Sequence, residues 1–166
     1  MTTGMGRRTT SLSALWAALL LALTGCSGLS IPTDPLGTLE EITGGTLQVG
    51  VADNGKWVKL PANGEPQGIE PDLVREFAAR HNAEIEWNRG VEHELVLDLK
   101  HKELDMVIGG FGKSTPWTKH AAKTRSYVKS TNEHGQTVNH VMLTLMGENR
   151  FLLELDQFLL NQRVTP

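Results

Sequence analysis

Thr46-Leu-Gln-Val-Gly-Val-Ala-Asp-Asn-Gly55 sets the frame from which the rest of the chain can be read. Leu47, Val49 and Val51 alternate with Gln48 and Gly50 until Asp53-Asn54-Gly55 turns the chain, which is the period-two pattern of a strand. Downstream, Gly64-Glu-Pro-Gln-Gly68 reads as a loop, and Glu70-Pro71-Asp72 opens a helix. Proline is tolerated in a first turn, and acids there meet the positive end of the helix dipole. Leu73, Phe77 and Ala78 line one face of that helix as far as His81-Asn82. A second strand is expected at Glu84-Ile-Glu-Trp-Asn88, and a second helix over Val91 to His101 with Val91, Leu95 and Leu99 at helical spacing. Leu104-Asp-Met-Val-Ile108 has the apolar density of a strand buried on both faces, and it runs out into Gly109-Gly110.

Strand, helix, strand, helix, strand predicts right-handed crossovers and an α/β domain with a mainly parallel sheet. A polar stretch, Lys129 to Thr137, follows Ser126-Tyr127-Val128. Val141-Met-Leu-Thr-Leu-Met146 then supplies a closing strand, and Phe151, Leu152, Leu155, Phe158 and Leu159 mark an amphipathic last helix. The expected total is about five strands flanked by helices.

Open α/β sheets bind ligands at the carboxyl ends of their strands. Two loops fall there: Asp53 to Trp57, and Gly109-Gly-Phe-Gly-Lys-Ser-Thr-Pro-Trp-Thr118. Glycine lets a ligand approach the backbone, Phe111 and Trp117 offer flat apolar walls, and Ser114, Thr115 and Thr118 add hydroxyls. Asp53 could hold an amine and Trp57 stack on a ligand. The candidate ligand-binding set is therefore Asp53, Trp57, Gly110, Phe111, Ser114, Thr115 and Thr118. Each has a plainer structural role beside it. Thr115 can cap a short helix with Pro116 at its first position, and Asp53-Asn54-Gly55 is an ordinary turn. Glu70 and Asp72 read as helix-start acids.

At the other end of the chain, Arg7 and Arg8 precede an apolar run from Ala14 to Leu23, the order of a secretory signal. The run is about half of the ~20 residues a membrane span requires. It ends in Leu23-Thr24-Gly25-Cys26, which resembles the lipobox of bacterial lipoproteins. The resemblance implies cleavage before Cys26, acylation of that cysteine and residence on the outer face of a bacterial membrane. The expected organisation is a signal peptide over 1–25, a tether over 26–45 and an α/β domain over 46–163. Ile31-Pro-Thr-Asp-Pro35 and Gly44-Gly45, without sustained periodicity, support the tether.

Cys26 is the sole cysteine, so the mature domain has no disulfide and no thiolate chemistry. Without Arg7 and Arg8, fourteen basic residues face nineteen acidic ones, a formal net charge of −5, which argues against a nucleic-acid partner. The histidines, with His134 and His140 the most suggestive, match no compact metal-ligand spacing, so no metal site is expected. Neither a Gly-x-Ser-x-Gly elbow nor a phosphate loop is present, and no enzyme or cofactor is expected.

From Thr46 to Tyr127 the order of features is similar to the first lobe of the family 3 extracellular solute-binding proteins, receptors of amino-acid ABC importers. The resemblance is carried by Leu47-Gln-Val-Gly50, Gly68-Ile-Glu-Pro-Asp-Leu73, Leu97 to Gly110, Ser114-Thr115-Pro116 and Arg125-Ser126-Tyr127. It implies one lobe of a type II periplasmic-binding-protein fold that takes a small polar solute such as an amino acid. The implied partners are that solute, the membrane through the lipid, and a permease or a second copy of the chain. Two departures stand out. Where the family places an arginine that grips the ligand carboxylate, this chain has Thr118, leaving Lys113, Lys119 or Arg125 to supply positive charge. Between Tyr127 and Val141, where the second lobe would be inserted, lie about ten polar residues. An accessory module that docks on a transporter or sensor without binding solute is the alternative.

Overall fold

The structure is a computed structural model that describes residues 33–166. It begins with α1 (Thr38–Ile42), β1 (Thr46–Val51), α2 (Ile69–Arg80), β2 (Glu84–Arg89), α3 (Glu92–Lys100) and β3 (Met106–Ile108). After a 3-10 turn at Pro116–Lys119 come β4 (Ala122–Lys123), β5 (Val128–Thr131), β6 (Thr137–His140), β7 (Leu143–Thr144) and α4 (Asn149–Leu160). The main sheet has the order β2-β1-β3-β7-β4. β2 and β3 run parallel to β1, and β7 is antiparallel to both its neighbours.

The alternation read in β1 decides how the layers stack. Leu47, Val49 and Val51 are fully buried on one face with Met106 and Ile108, under Ile42 of α1, Phe77 of α2, and Phe151 and Phe158 of α4. Phe77 meets Phe151 edge-on at 5.9 Å. Burying each such ring contributes about 2–3 kcal/mol. α3 covers the opposite face with Leu95, Val96 and Leu99 against Val107 and Leu143. Gly50 faces α3, where a Cβ would come within 2.8 Å of Leu104 and 3.2 Å of Leu95, so its lack of a side chain sets the depth at which α3 packs. None of the described helices is long and apolar enough to cross a membrane.

Two expectations need correction, and one polar stretch takes a structure that the sequence does not signal. The stretch read as a spacer up to Gly45 is folded onto the domain from its first described residues. Asp34 accepts from the backbone N–H of Arg150 (2.7 Å) and Phe151 (3.0 Å), and the Thr33 carbonyl accepts from Asn149, so this segment caps α4. In return the buried Glu148 carboxylate accepts from Leu36 N and Thr38 N, both at 3.1 Å, and caps α1. One helical turn with Ile42 as its apolar anchor is too short to show a period. Next, the polar stretch Lys129 to Thr137 is a β5–β6 hairpin with its turn at Asn132 to Gly135. Finally, the closing strand expected over Val141–Met146 pairs only at Leu143–Thr144, although residues 141–145 are all buried.

Candidate functional site

The carboxyl ends of β1 and β3 lie side by side, tied by Ala52 N–H to the Ile108 carbonyl (3.0 Å). Beyond them each chain turns sharply. Asn54 closes a turn back to Val58 and sends its side-chain amide to the Gly109 carbonyl (2.6 Å). Gly110 has φ +66, and a Cβ there would stand 2.7 Å from the Asn54 amide and 2.9 Å from the Trp57 ring, so both the conformation and the space require glycine.

What holds this turn is Glu70. Its carboxylate is fully buried and accepts from Gly109 N–H and Gly110 N–H, both 2.8 Å, and from the Tyr127 hydroxyl at 2.5 Å. Burial pushes its pKa up, and the bonds from Tyr127, Gly110 and Gly109 oppose that push. Glu70 is in the first turn of α2, as a helix-start acid should be, yet its carboxylate serves the neighbouring loop. Burial and the adjacent Glu70 likewise push the Tyr127 hydroxyl up.

The hairpin supplies the facing wall. His140, at the end of β6, stacks on Trp57 with 3.8 Å between ring centres and 29° between planes. A carbonyl can only accept, so the Nδ1 that lies 3.1 Å from the Gly110 oxygen carries the proton. Nε2 then accepts from the Ser130 hydroxyl at 2.7 Å. Burial pushes the His140 pKa down, against the bond to Gly110 and together with the Lys56 charge.

Between these walls lies an open cleft of about 430 Å³ lined by Asn54, Lys56, Trp57, Gly110, Ser130 and His140, among others. Of the expected ligand-binding residues, it brings together Trp57 and Gly110. Trp57 is only 6% exposed and already stacked, so it forms the back of the cleft more than a free platform. Asp53 is exposed beside Asn54 but outside the lining. Ser114 lines a neighbouring cleft. Thr115 caps the 3-10 turn, with its hydroxyl 3.5 Å from Trp117 N–H, and Thr118 is exposed on that turn. Phe111, expected as an apolar wall, is instead a core residue at 4% exposure, packed with Val107 and Val141, because the chain turns inward after Gly110. Cys26 lies outside the described residues.

Sequence reasoning missed Asn54, Glu70, Tyr127 and Ser130 as builders of this edge. His140 entered only as a metal candidate, and both its ring nitrogens are committed to Gly110 and Ser130. Among the described residues no cluster of three metal-ligating side chains occurs.

The model of the bacterial extracellular solute-binding proteins, family 3, matches residues 47–148, which span this whole arrangement from β1 to the Glu148 cap. The chain belongs to that family. As a family 3 protein it is a solute-binding domain of an exported protein, in keeping with the expected resemblance. No curated protein matches it in sequence. Among solved structures, domain 1 from TmArgBP in its arginine-bound form matches with a TM-score of 0.65 at 21% identity, over 74% of this chain and 98% of that one. A mutant of ArgBP from T. maritima matches at 27% identity and a TM-score of 0.50, over 57% of this chain and 42% of that one. An ancestral cationic amino acid solute binding protein matches at 25% identity and a TM-score of 0.51, again over 57% and 42%. The chain thus spans nearly all of an isolated first domain and less than half of the longer proteins, and its described residues form one lobe of the type II periplasmic-binding-protein fold.

Proposed function

We propose that this protein is the membrane-anchored, extracytoplasmic solute-binding lipoprotein of a transport system, and that it takes a small polar solute such as an amino acid at the Trp57 cleft. The observation that carries this reading is the Glu70-held Gly109-Gly110 turn at the lip of that cleft, in a chain of a solute-binding family. The Gly110 carbonyl, the Asn54 amide and Ser130 are polar groups of the kind that orient such a ligand. Binding is a matter of capture, not catalysis.

In this reading residues 1–25 are removed on export and Cys26 carries the lipid. The chain enters the described fold at Thr33, beside the amino end of α4, on the sheet edge opposite the cleft. Metabolic labelling with an alkyne-tagged palmitate tests the anchor: label is expected on the natural protein and absent from Cys26→Ser.

A thermal-shift series with amino acids, small organic acids and divalent metals tests the solute site. A ligand at 100 times its Kd stabilises by about 2.7 kcal/mol, a readily visible shift. A flat response at millimolar concentrations of every compound counts against solute binding.

One observation favours a second reading. His140 already covers Trp57, and the hairpin stands where a closing lobe would be inserted. A lobe filled in this way can serve as an accessory module on a transporter or sensor. Co-purification from membranes with a stable protein partner, in a chain that shows no thermal shift, is the outcome this reading requires.

A further inference from the structure

A second cleft, about 660 Å³, shares only Asn132 and Val138 with the first. Lys113 and Ser114 form one wall, Lys123 of β4 another, and Thr137 and Asn139 of β6 the third. Its lining holds two ammonium groups, hydroxyls and amides, and no carboxylate. That composition is unusual for a chain whose formal net charge is −3. The walls are tied together as well. Lys113 N–H donates to the Asn139 carbonyl at 2.7 Å, which clips the loop to the hairpin. The half-buried Lys123 donates from Nζ to the Lys113 carbonyl at 2.9 Å. That bond uses one of three ammonium donors and fixes the charge at the wall, with two donors left to point elsewhere. The Lys113 residue is exposed at the rim of the cleft.

We propose that this cleft is an oxyanion site, where the ammonium groups of Lys113 and Lys123 grip a carboxylate or phosphate group and Ser114 and Asn139 complete its hydrogen bonds. Both cations make charge-assisted bonds, the strong class, and binding weakens as salt screens them. The site is separate from the Trp57 cleft and holds whether or not that cleft takes a solute.

Calorimetric titration of the purified protein at low ionic strength, with inorganic phosphate in one arm and succinate in another, tests it. At least one anion is expected to bind, and which arm responds assigns the source. Lys113→Met, which disturbs no buried contact, and the Lys113→Met/Lys123→Met pair are each expected to lose about tenfold or more in affinity. Lys123→Arg keeps most of it, and Ser130→Ala in the first cleft leaves it within about twofold. Melting temperatures near the natural value show that the variants are folded. The proposal is overturned if neither anion binds, if the double variant binds as the natural protein does, or if Ser130→Ala abolishes binding.

Discussion

At the amino edge of the sheet buried or half-buried carboxylates close the fold, whereas at the carboxyl edge a single buried carboxylate shapes a cleft. Asp34 and Glu148 each serve the N-terminus of the other's helix, and the partners they satisfy are N–H groups that any helix start leaves open. Glu70 serves two N–H groups of a glycine turn and a tyrosine hydroxyl, none of which a shorter helix or a different loop would have created. The chemistry is the same at both edges. The difference lies in what is held: at one edge the ends of helices, at the other a surface that faces solvent and the hairpin.

The sharpest break of this comparison is Glu70→Ala. It strands three donors in a fully buried place, and an unfolding titration is expected to show a loss of about 3–5 kcal/mol. Glu70→Gln keeps an acceptor for the glycines and a donor for Tyr127, and about 1–2 kcal/mol is expected from it. Any ligand found for the Trp57 cleft should lose affinity in Glu70→Gln. Unaltered affinity there would reduce Glu70 to a structural brace.

At the opposite edge Glu148→Ala is expected to lose about 2–3 kcal/mol, since Leu36 and Thr38 N–H can in part regain water. Asp34→Ala, the removal of a cap, should lose about 1–2 kcal/mol. Neither should move ligand affinity. If either does, the two edges are coupled through the sheet and the division drawn here fails.

How far the sequence carries the reader follows from the range of the interactions. The strands and the helices α2, α3 and α4 show themselves because Leu47, Val49 and Val51 or Phe151, Leu155 and Phe158 repeat within a single element. The reciprocal caps do not, since Asp34 and Phe151 lie 117 positions apart and neither residue looks unusual among its neighbours. The position of Trp57 and Gly110 at the cleft is legible because both lie in loops that leave the carboxyl ends of buried strands. Glu70 was read as a helix-start acid, which it is, but its partners sit 39 and 40 residues downstream. The hairpin was hidden for a different reason: β5 and β6 are largely polar in sequence, with only Val128 and Val138 apolar, so they carry almost no hydrophobic signal even where their residues are half-buried.

Acid should act on the two edges with opposite sign. At the amino edge Asp105 is pushed up to about 6, mainly by burial, eased by its bond from Gln48 N–H and raised further by Glu41 and Glu148. The folded state therefore holds that proton more tightly than the unfolded chain. Its effect is a loss of stability as pH rises from about 4 to about 6, level above that. Asp105→Asn should abolish this slope and, after allowance for solvent screening, gain about 1 kcal/mol at pH 7 by urea unfolding.

His140 at the carboxyl edge is pushed below its ordinary 6.5 by burial and by Lys56. Here the unfolded chain binds the proton more tightly, so the contribution is complete above 6.5 and fades as pH falls through the folded value. The effect is the smallest of the set, because Ser130 can turn its hydroxyl and accept from a charged ring. An NMR titration of the imidazole reads it directly. A midpoint below 6.5 is expected, and one at or above 6.5 would mean that the ring stands in solvent and that the Trp57 stack, which defines the facing wall, is not held in solution. A charged ring would also place a cation beside Lys56 at the mouth of the cleft. Acid should therefore weaken the carboxyl edge at His140 and strengthen the amino edge at Asp105.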